Sequence, residues 1–356
     1  MEDLLEEKGW SKVEFARRLG CSQKHVSQLL SGKVPLTDDM AVALSSVLGG
    51  SVSFWLEREA RYREALKLQE YYDRLESEAD LLDEVPTKWL VQEGCIKSYR
   101  HRGQQLAELL RYFGVARVDA YQECYGKPAA AFRASSKFEM RAGSIAAWQR
   151  RAELAAEQVR TSPWDEKGFR RRLEDLRALT QETDPEVFVP RLVETCADVG
   201  VAVVFVRTPP KCPASGMTMW RKEKAILALS LRYKSNDQLW FTFFHEAGHL
   251  LLHGKKLLFI DFEGSGGLDP EKEREADDFA RKLLIPPEHD RELRQLRTVD
   301  EVRAFAARIG IHPGIVVGRL QKEGIIGWSW KEFDRLKQRY DWDASGSIVA
   351  RPCSED

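Results

Sequence analysis

The chain has little of what would tie it to a membrane, an oxidising compartment or a polyanion. No apolar run approaches the roughly 18 residues needed to cross a bilayer, and the acidic opening MEDLLEEKGW has neither the basic nor the apolar part of a signal peptide. A cytoplasmic location with no membrane partner is the expectation. No C-x-x-C pair occurs among the six cysteines (Cys21, Cys95, Cys124, Cys196, Cys212, Cys353). Their scatter fits reduced structural thiols, not a disulfide framework or a cysteine metal site. Charge of one sign is lacking too: 55 basic against 56 acidic residues leave a formal net charge of -1. Any pull toward nucleic acid must therefore be local. What the chain does have is length, 356 residues, enough for two or three domains that each bury a core without help from a metal.

The pattern predicts a mainly α chain with a small β-sheet (α+β). Residues 1–70 read as short amphipathic helices separated by Gly and Pro, running into a long charged connecting helix over Leu56–Val85. Residues 71–183 read as a helical middle region, with LAELLRYFGV and AAWQRRAELAAEQV its clearest pieces and no chemical motif. The period then changes. A helix from about Asp184, with Pro185 in its first turn and Gly200 at its end, leads into three expected strands: Val201–Val206, Gly216–Trp220 and Ala225–Leu231. Asn236 or Asp237 is expected to cap the helix that follows. Residues 184–290 form the third segment, and residues 291–356 are expected to close the chain as further helices.

The stretch FTFFHEAGHLLLHGKK sets two histidines and a glutamate in an apolar run. His245-Glu246-Ala247-Gly248-His249 fits H-E-x-x-H, whose i, i+4 spacing stacks both imidazoles on one helix face, one turn apart. Two ligands of a tetrahedral zinc then come from one rigid element. Glu246 is placed to take a proton from metal-bound water. Two histidines merely satisfied inside a core would leave a buried Glu246 without a counter-charge. A catalytic zinc needs a third protein ligand. In EKEREADDFARKLLIPP the apolar stripe Ala276, Phe279, Ala280, Leu283, Leu284 defines the inward face. Glu273 continues that face and is the better ligand, with Glu275 the alternative on the side of Lys282. Asp277 is placed to accept a hydrogen bond from the outer nitrogen of a liganding histidine. His253, another turn on, reads as a rim or structural histidine.

These two stretches together resemble the ImmA/IrrE family of gluzincin metallopeptidases. The resemblance covers roughly residues 185–290. It implies Zn2+ held by His245, His249 and Glu273, with Glu246 as catalytic acid/base. Asp277 stands where the family often has Asn. An extended peptide is expected to add to a sheet edge near Ala225–Leu231.

At the other end, GWSKVEFARRLGCSQKHVSQLLSGKVPLT carries the marks of a helix-turn-helix. Ser11 caps a helix with Phe15, Ala16 and Leu19 inward, Gly20 makes the turn, and Ser22 caps a second helix with Val26, Leu29 and Leu30 inward. Gln23, Lys24, Ser27 and Gln28 are left on the outer face that enters a major groove, with His25 at its border. Between Lys8 and Lys33 the six bases Lys8, Lys12, Arg17, Arg18, Lys24 and Lys33 face the single acid Glu14, a local positive surface in which Lys12, Arg17 and Lys33 are the expected phosphate contacts. The stretch resembles the XRE family, and its continuation resembles HigA-type antitoxin repressors. That likeness implies a homodimer on double-stranded operator DNA.

Phe15–Leu30 also aligns without gaps on Phe305–Leu320. The second copy has Ile315, Val316 and Val317 where polar groups would read bases, which suits burial better. Three functions stay open. The first is a DNA-binding regulator with a working zinc endopeptidase that cleaves a protein. The second is an antitoxin-like repressor whose peptidase-like domain senses without cutting. The third is a peptidase with an amino-terminal module that recruits a partner regulator or toxin. An intact Glu246 favours the first over the second; the polar outer helix face disfavours the third.

Overall fold

A computed structural model describes residues 1–127, 141–254, 258–262 and 269–351. Cys353 lies outside them; the other five cysteines are free. The chain divides into two compact units, residues 1–79 with 99–107, and residues 80–98 with 108–356.

The first unit is helical: α1 Glu2–Glu7, α2 Lys12–Leu19, α3 Gln23–Leu30, α4 Asp38–Leu48 and α5 Val52–Glu76. Its core gathers Phe15, Ala16, Val26, Leu29, Ala41, Leu44 and Trp55, with Leu19 and Leu30 only partly covered. Side-chain caps start four of these helices, from Ser11, Ser22, Thr37 and Ser51. The expected connecting helix to Val85 stops at Glu76, and a separate turn of helix follows at Leu81–Glu84. The charged run that suggested one continuous helix contains no Gly or Pro, so composition gave no sign of this break.

The second unit contains α6 from Glu108 onward (the helix runs Arg102–Phe113), α7 Ala142–Glu157, α8 Glu166–Leu179 and α9 Pro185–Ala197. Strands β1 Val201–Phe205, β2 Ala214–Arg221 and β3 Lys224–Leu229 follow. Next come α10 Asn236–Leu252, β4 Phe259–Phe262, α11 Pro270–Leu284, α12 Val299–Ile309, α13 Pro313–Lys322 and the hairpin β5 Arg339–Trp342 with β6 Ile348–Arg351. The sheet order is β1-β3-β2-β4, with β1 parallel to β3 and the other pairs antiparallel. β3 is thus paired on both sides and cannot take up a peptide strand; the edges are β1 and β4. This corrects the expectation for Ala225–Leu231, whose two sides are taken by β1 and β2; the apolar run that forms β4 was not read as a strand.

Every residue of β1 but the last is buried, because the sheet is covered on both faces. On one side lies α7, whose Trp148 Nε1–H donates to the Val206 carbonyl at 3.1 Å. The helical middle region therefore includes a layer of this unit. On the other side α8, α9 and α10 share a core with α12 and α13 through Phe169, Phe188, Trp240, Phe243, Phe305 and Val316. The expectation of a purely helical end is corrected by β5 and β6, which pair from Arg339 with Arg351 to Trp342 with Ile348.

α10 is buried nearly all round, as a helix packed between a sheet and other helices must be. Its N-cap is Ser235, not Asn236 or Asp237. Those two side chains serve tertiary partners: Asn236 accepts from the Gln338 amide at 3.2 Å and meets His312 Nδ1 at 2.7 Å, and Asp237 forms a buried 2.8 Å ion pair with Lys337. The segments after α11 thereby fix the start of the helix that carries H-E-x-x-H.

Candidate metal centre and nucleic-acid interface

α10 and α11 approach closely because small residues line their crossing. A Cβ on Gly248 would lie 3.3 Å from Ala276 Cα and 3.1 Å from Phe279 Cδ1. This contact brings the first turn of α11 over the histidines. His245 Nε2 and His249 Nε2 stand 3.0 Å apart, and Glu273 Oε2 lies 3.2 Å from the first and 3.5 Å from the second. One ligand atom from each residue falls within 4.8 Å of the others. Three ligand atoms held tetrahedrally at zinc bond lengths are about 3.3 Å apart, so the spacing fits one small cation. Glu275 is not in this group; its carboxylate meets His253.

Asp277 Oδ1 lies 2.9 Å from His245 Nδ1. A carboxylate accepts, so the hydrogen sits on Nδ1 and the Nε2 lone pair faces inward. Glu273 is anionic: burial pushes its carboxyl up, but the two imidazoles beside it at 3.2 and 3.5 Å outweigh this and hold it at about 2. Burial, the largest influence on His249, lowers its pKa and favours the neutral imidazole a metal needs. The donor set of two neutral nitrogens and one carboxylate oxygen suits zinc.

Glu246 is fully buried and lies against β2. A Cβ at Gly216 would come within 2.5 Å of Glu246 Oε1 and 2.6 Å of Thr242 Cγ2, so only glycine leaves room for the carboxylate there. Sequence reasoning did not single out Gly216; its signal is a glycine inside a strand. A cavity of about 340 Å³ shares Asp277 with the surroundings of the centre and is also lined by Phe241, Leu284, Ile285, Ile315, Arg281 and Arg319; none of the three candidate ligands lines it.

In the first unit, Ser11 and Ser22 accept the amides of Glu14 and His25 at 3.2 and 3.1 Å, and Gly20 turns the chain at φ 68. Gln23, Lys24 and Ser27 are exposed and Gln28 is half-buried. Lys12 and Arg17 are exposed and carry surface ion pairs to Glu2 at 3.0 Å and Glu14 at 2.9 Å, contacts weak enough to be exchanged for phosphate. Lys33 sits on a loop that α5 braces: Arg63 donates to the carbonyls of Gly32 at 3.0 Å and Val34 at 2.7 Å. Arg63, distant in sequence, gave no earlier signal.

Among the described residues, no helix is long and apolar enough to cross a membrane. A helix-turn-helix family model matches residues 1–55, and an IrrE N-terminal-like domain model of a peptidase family matches residues 196–321. The second match reaches beyond the expected limit of 290 and takes in α12 and α13. A stretch of 56 residues is 41% identical to the uncharacterized HTH-type transcriptional regulator YddM of Escherichia coli (strain K12); it covers 16% of this chain and 60% of that protein. The chain thus joins an XRE-type helix-turn-helix domain at its amino terminus to a domain of the IrrE N-terminal-like peptidase family.

Proposed function

We propose that the chain is a DNA-binding transcriptional regulator carrying a zinc-dependent endopeptidase, which cleaves a protein, either a partner regulator or the chain itself, to change transcription. The observation that carries this reading is the placement of buried Glu246 next to the converged His245, His249 and Glu273. A site that only sensed would have no use for a general base in that position. The division of labour follows the sequence: operator recognition in residues 1–70, helical support in 71–183, catalysis in 184–290 and support from 291–356. The XRE-type domain, and its likeness to a protein named as a transcriptional regulator, support the DNA-binding half. Two-fold symmetric reading of an operator requires a homodimer.

When bound, zinc supplies Lewis acidity and a water of lowered pKa. Glu246 accepts the proton of the attacking water and returns it to the departing amine. Gly216 leaves space for that carboxylate, and Asp277 keeps the His245 ring in its ligating tautomer. Of the two sheet edges, β4 is the one beside the centre, since Phe259 stacks on His249 at 4.0 Å; an extended peptide pairs there.

The test compares Glu246→Gln with the wild-type chain. The variant keeps its zinc and loses hydrolysis of the chain itself or of a peptide library, because an amide cannot accept the proton. Equal cleavage by both proteins removes Glu246 from the reaction, and no cleavage by either promotes the sensing reading.

A further inference from the structure

The two candidate histidine ligands differ in what stands behind them. His245 meets a carboxylate directly, Asp277 at 2.9 Å. His249 meets another imidazole: its Nδ1 is 2.9 Å from His253 Nδ1, and His253 Nε2 is 2.9 Å from Glu275 Oε2. We propose that His253 and Glu275 are positioning residues that fix the tautomer and the ring plane of His249 for metal binding. This rests on the metal-centre reading above.

The hydrogen count follows from the chain of contacts. Glu275 is a carboxylate and only accepts, so the hydrogen of a neutral His253 lies on Nε2. His253 Nδ1 is then an acceptor, and the hydrogen between the two rings belongs to His249 Nδ1. That leaves the His249 Nε2 lone pair pointing at His245 and Glu273. One exposed carboxylate thus sets the tautomer of a buried ligand through an intervening ring.

Packing supports the same role. The His253 side chain is only 2% exposed although it ends the helix, whereas Glu275 is 55% exposed. Phe259 stacks on the His249 ring at 4.0 Å with a 16° interplanar angle and meets the His253 ring at 5.3 Å with a 43° tilt, so one aromatic side chain touches both rings. Glu273 and Glu275, two residues apart on α11, divide the work between the inner nitrogens and this outer link.

The experiment measures zinc affinity by chelator competition, and the absorption spectrum of the cobalt(II) form, for the full chain and three variants. His253→Leu removes the acceptor and loses about 10- to 100-fold in zinc affinity, with a shifted cobalt spectrum. His253→Asn offers an acceptor oxygen near the lost nitrogen and recovers most of both. Glu275→Ala, at an exposed position that does not threaten the fold, gives a smaller loss in the same direction. Wild-type affinity and spectrum in His253→Leu overturn the proposal while leaving the metal centre intact. Absence of zinc binding in the wild-type chain overturns the metal centre and this inference with it. If His253→Leu fails to fold, Glu275→Ala decides: an affinity equal to wild type overturns the proposal.

Discussion

Two stretches of the chain, Phe15–Leu30 and Phe305–Leu320, align without gaps and share a helix-turn-helix pattern, and their second helices have different surroundings. In the first, Phe15 and Ala16 are buried and Gly20 turns the chain at φ 68; in the second, Phe305 and Ala306 are buried and Gly310 turns it at φ 73. Scaffold and turn are shared. The difference lies on the second helix. Where α3 has Lys24, Ser27 and Gln28, the aligned positions of α13 are Gly314, Val317 and Gly318. Val317 is wholly buried, and a Cβ at Gly318 would lie 2.5 Å from Asp237 Oδ2. The surface available for DNA in one copy is, in the other, packed against the helix of the metal centre. A fold suited to lying in a groove also suits holding a helix, and only the side chains say which.

The most damaging way to break this comparison is to exchange the surfaces. Val317→Lys places an unpaired charge in a closed core and is expected to cost more than about 4 kcal/mol, which unfolds or loosens the second unit in urea or heat. Its counterpart Ser27→Lys stays within roughly 0.5 kcal/mol of wild type, as exposed substitutions do. If both variants melt alike, the two copies do not differ in burial as described.

A smaller effect sharpens the DNA side. Gln28→Ala is expected to cost roughly 1–3 kcal/mol at one base pair and to relax preference there, while Lys33→Ala weakens all sequences alike and flattens the salt dependence by about one phosphate. Titrations at several salt concentrations, on a selected operator and on random duplex, separate the two behaviours. Binding that shows no preference for any duplex, and no response to either change, turns the domain into a protein-recruitment module. A dimer adds the requirement of half-sites about 10 base pairs apart, centre to centre.

How far the sequence could be read followed from how local each cause was. The capping serines, Gly20 and the apolar spacing of α2 and α3 lie within 20 residues of one another, and the structure has each of them in the expected local place. The convergence of Glu273 with the histidines was legible because the apolar stripe of α11 fixes which face turns inward, and the chain brings that face to α10. What was not legible depends on partners far along the chain. Asn236 and Asp237 have the chemistry of caps, but His312, Lys337 and Gln338 claim them. β3 looks like any strand until β1 and β2 are seen on either side of it. Glu275 reads as a solvated helix acid, and only the position of His253 gives it another use.

The last prediction concerns the caps of the two second helices, which differ in one respect. Ser22 caps α3 with a hydroxyl that does not titrate; at the aligned position of α13, His312 Nδ1 accepts the Gly314 amide at 3.0 Å and meets Asn236 Nδ2 at 2.7 Å. Both contacts need Nδ1 without a hydrogen, so protonation breaks them. Burial first, and then the nearby charge of Arg303, lower the His312 pKa from 6.5 to about 4, against a small opposing pull from Asp237. The folded pKa is below the unfolded one, so the neutral form contributes stability that is fully present above pH 6.5 and is lost as the pH falls toward about 4. The ring is partly exposed, so the loss is on the order of 1–2 kcal/mol. His312→Asn keeps an acceptor for the Gly314 amide and cannot titrate. Urea denaturation of the two proteins at a series of pH values should give a shallower decline for the variant between those limits, and parallel declines would show that His312 is not a titrating cap.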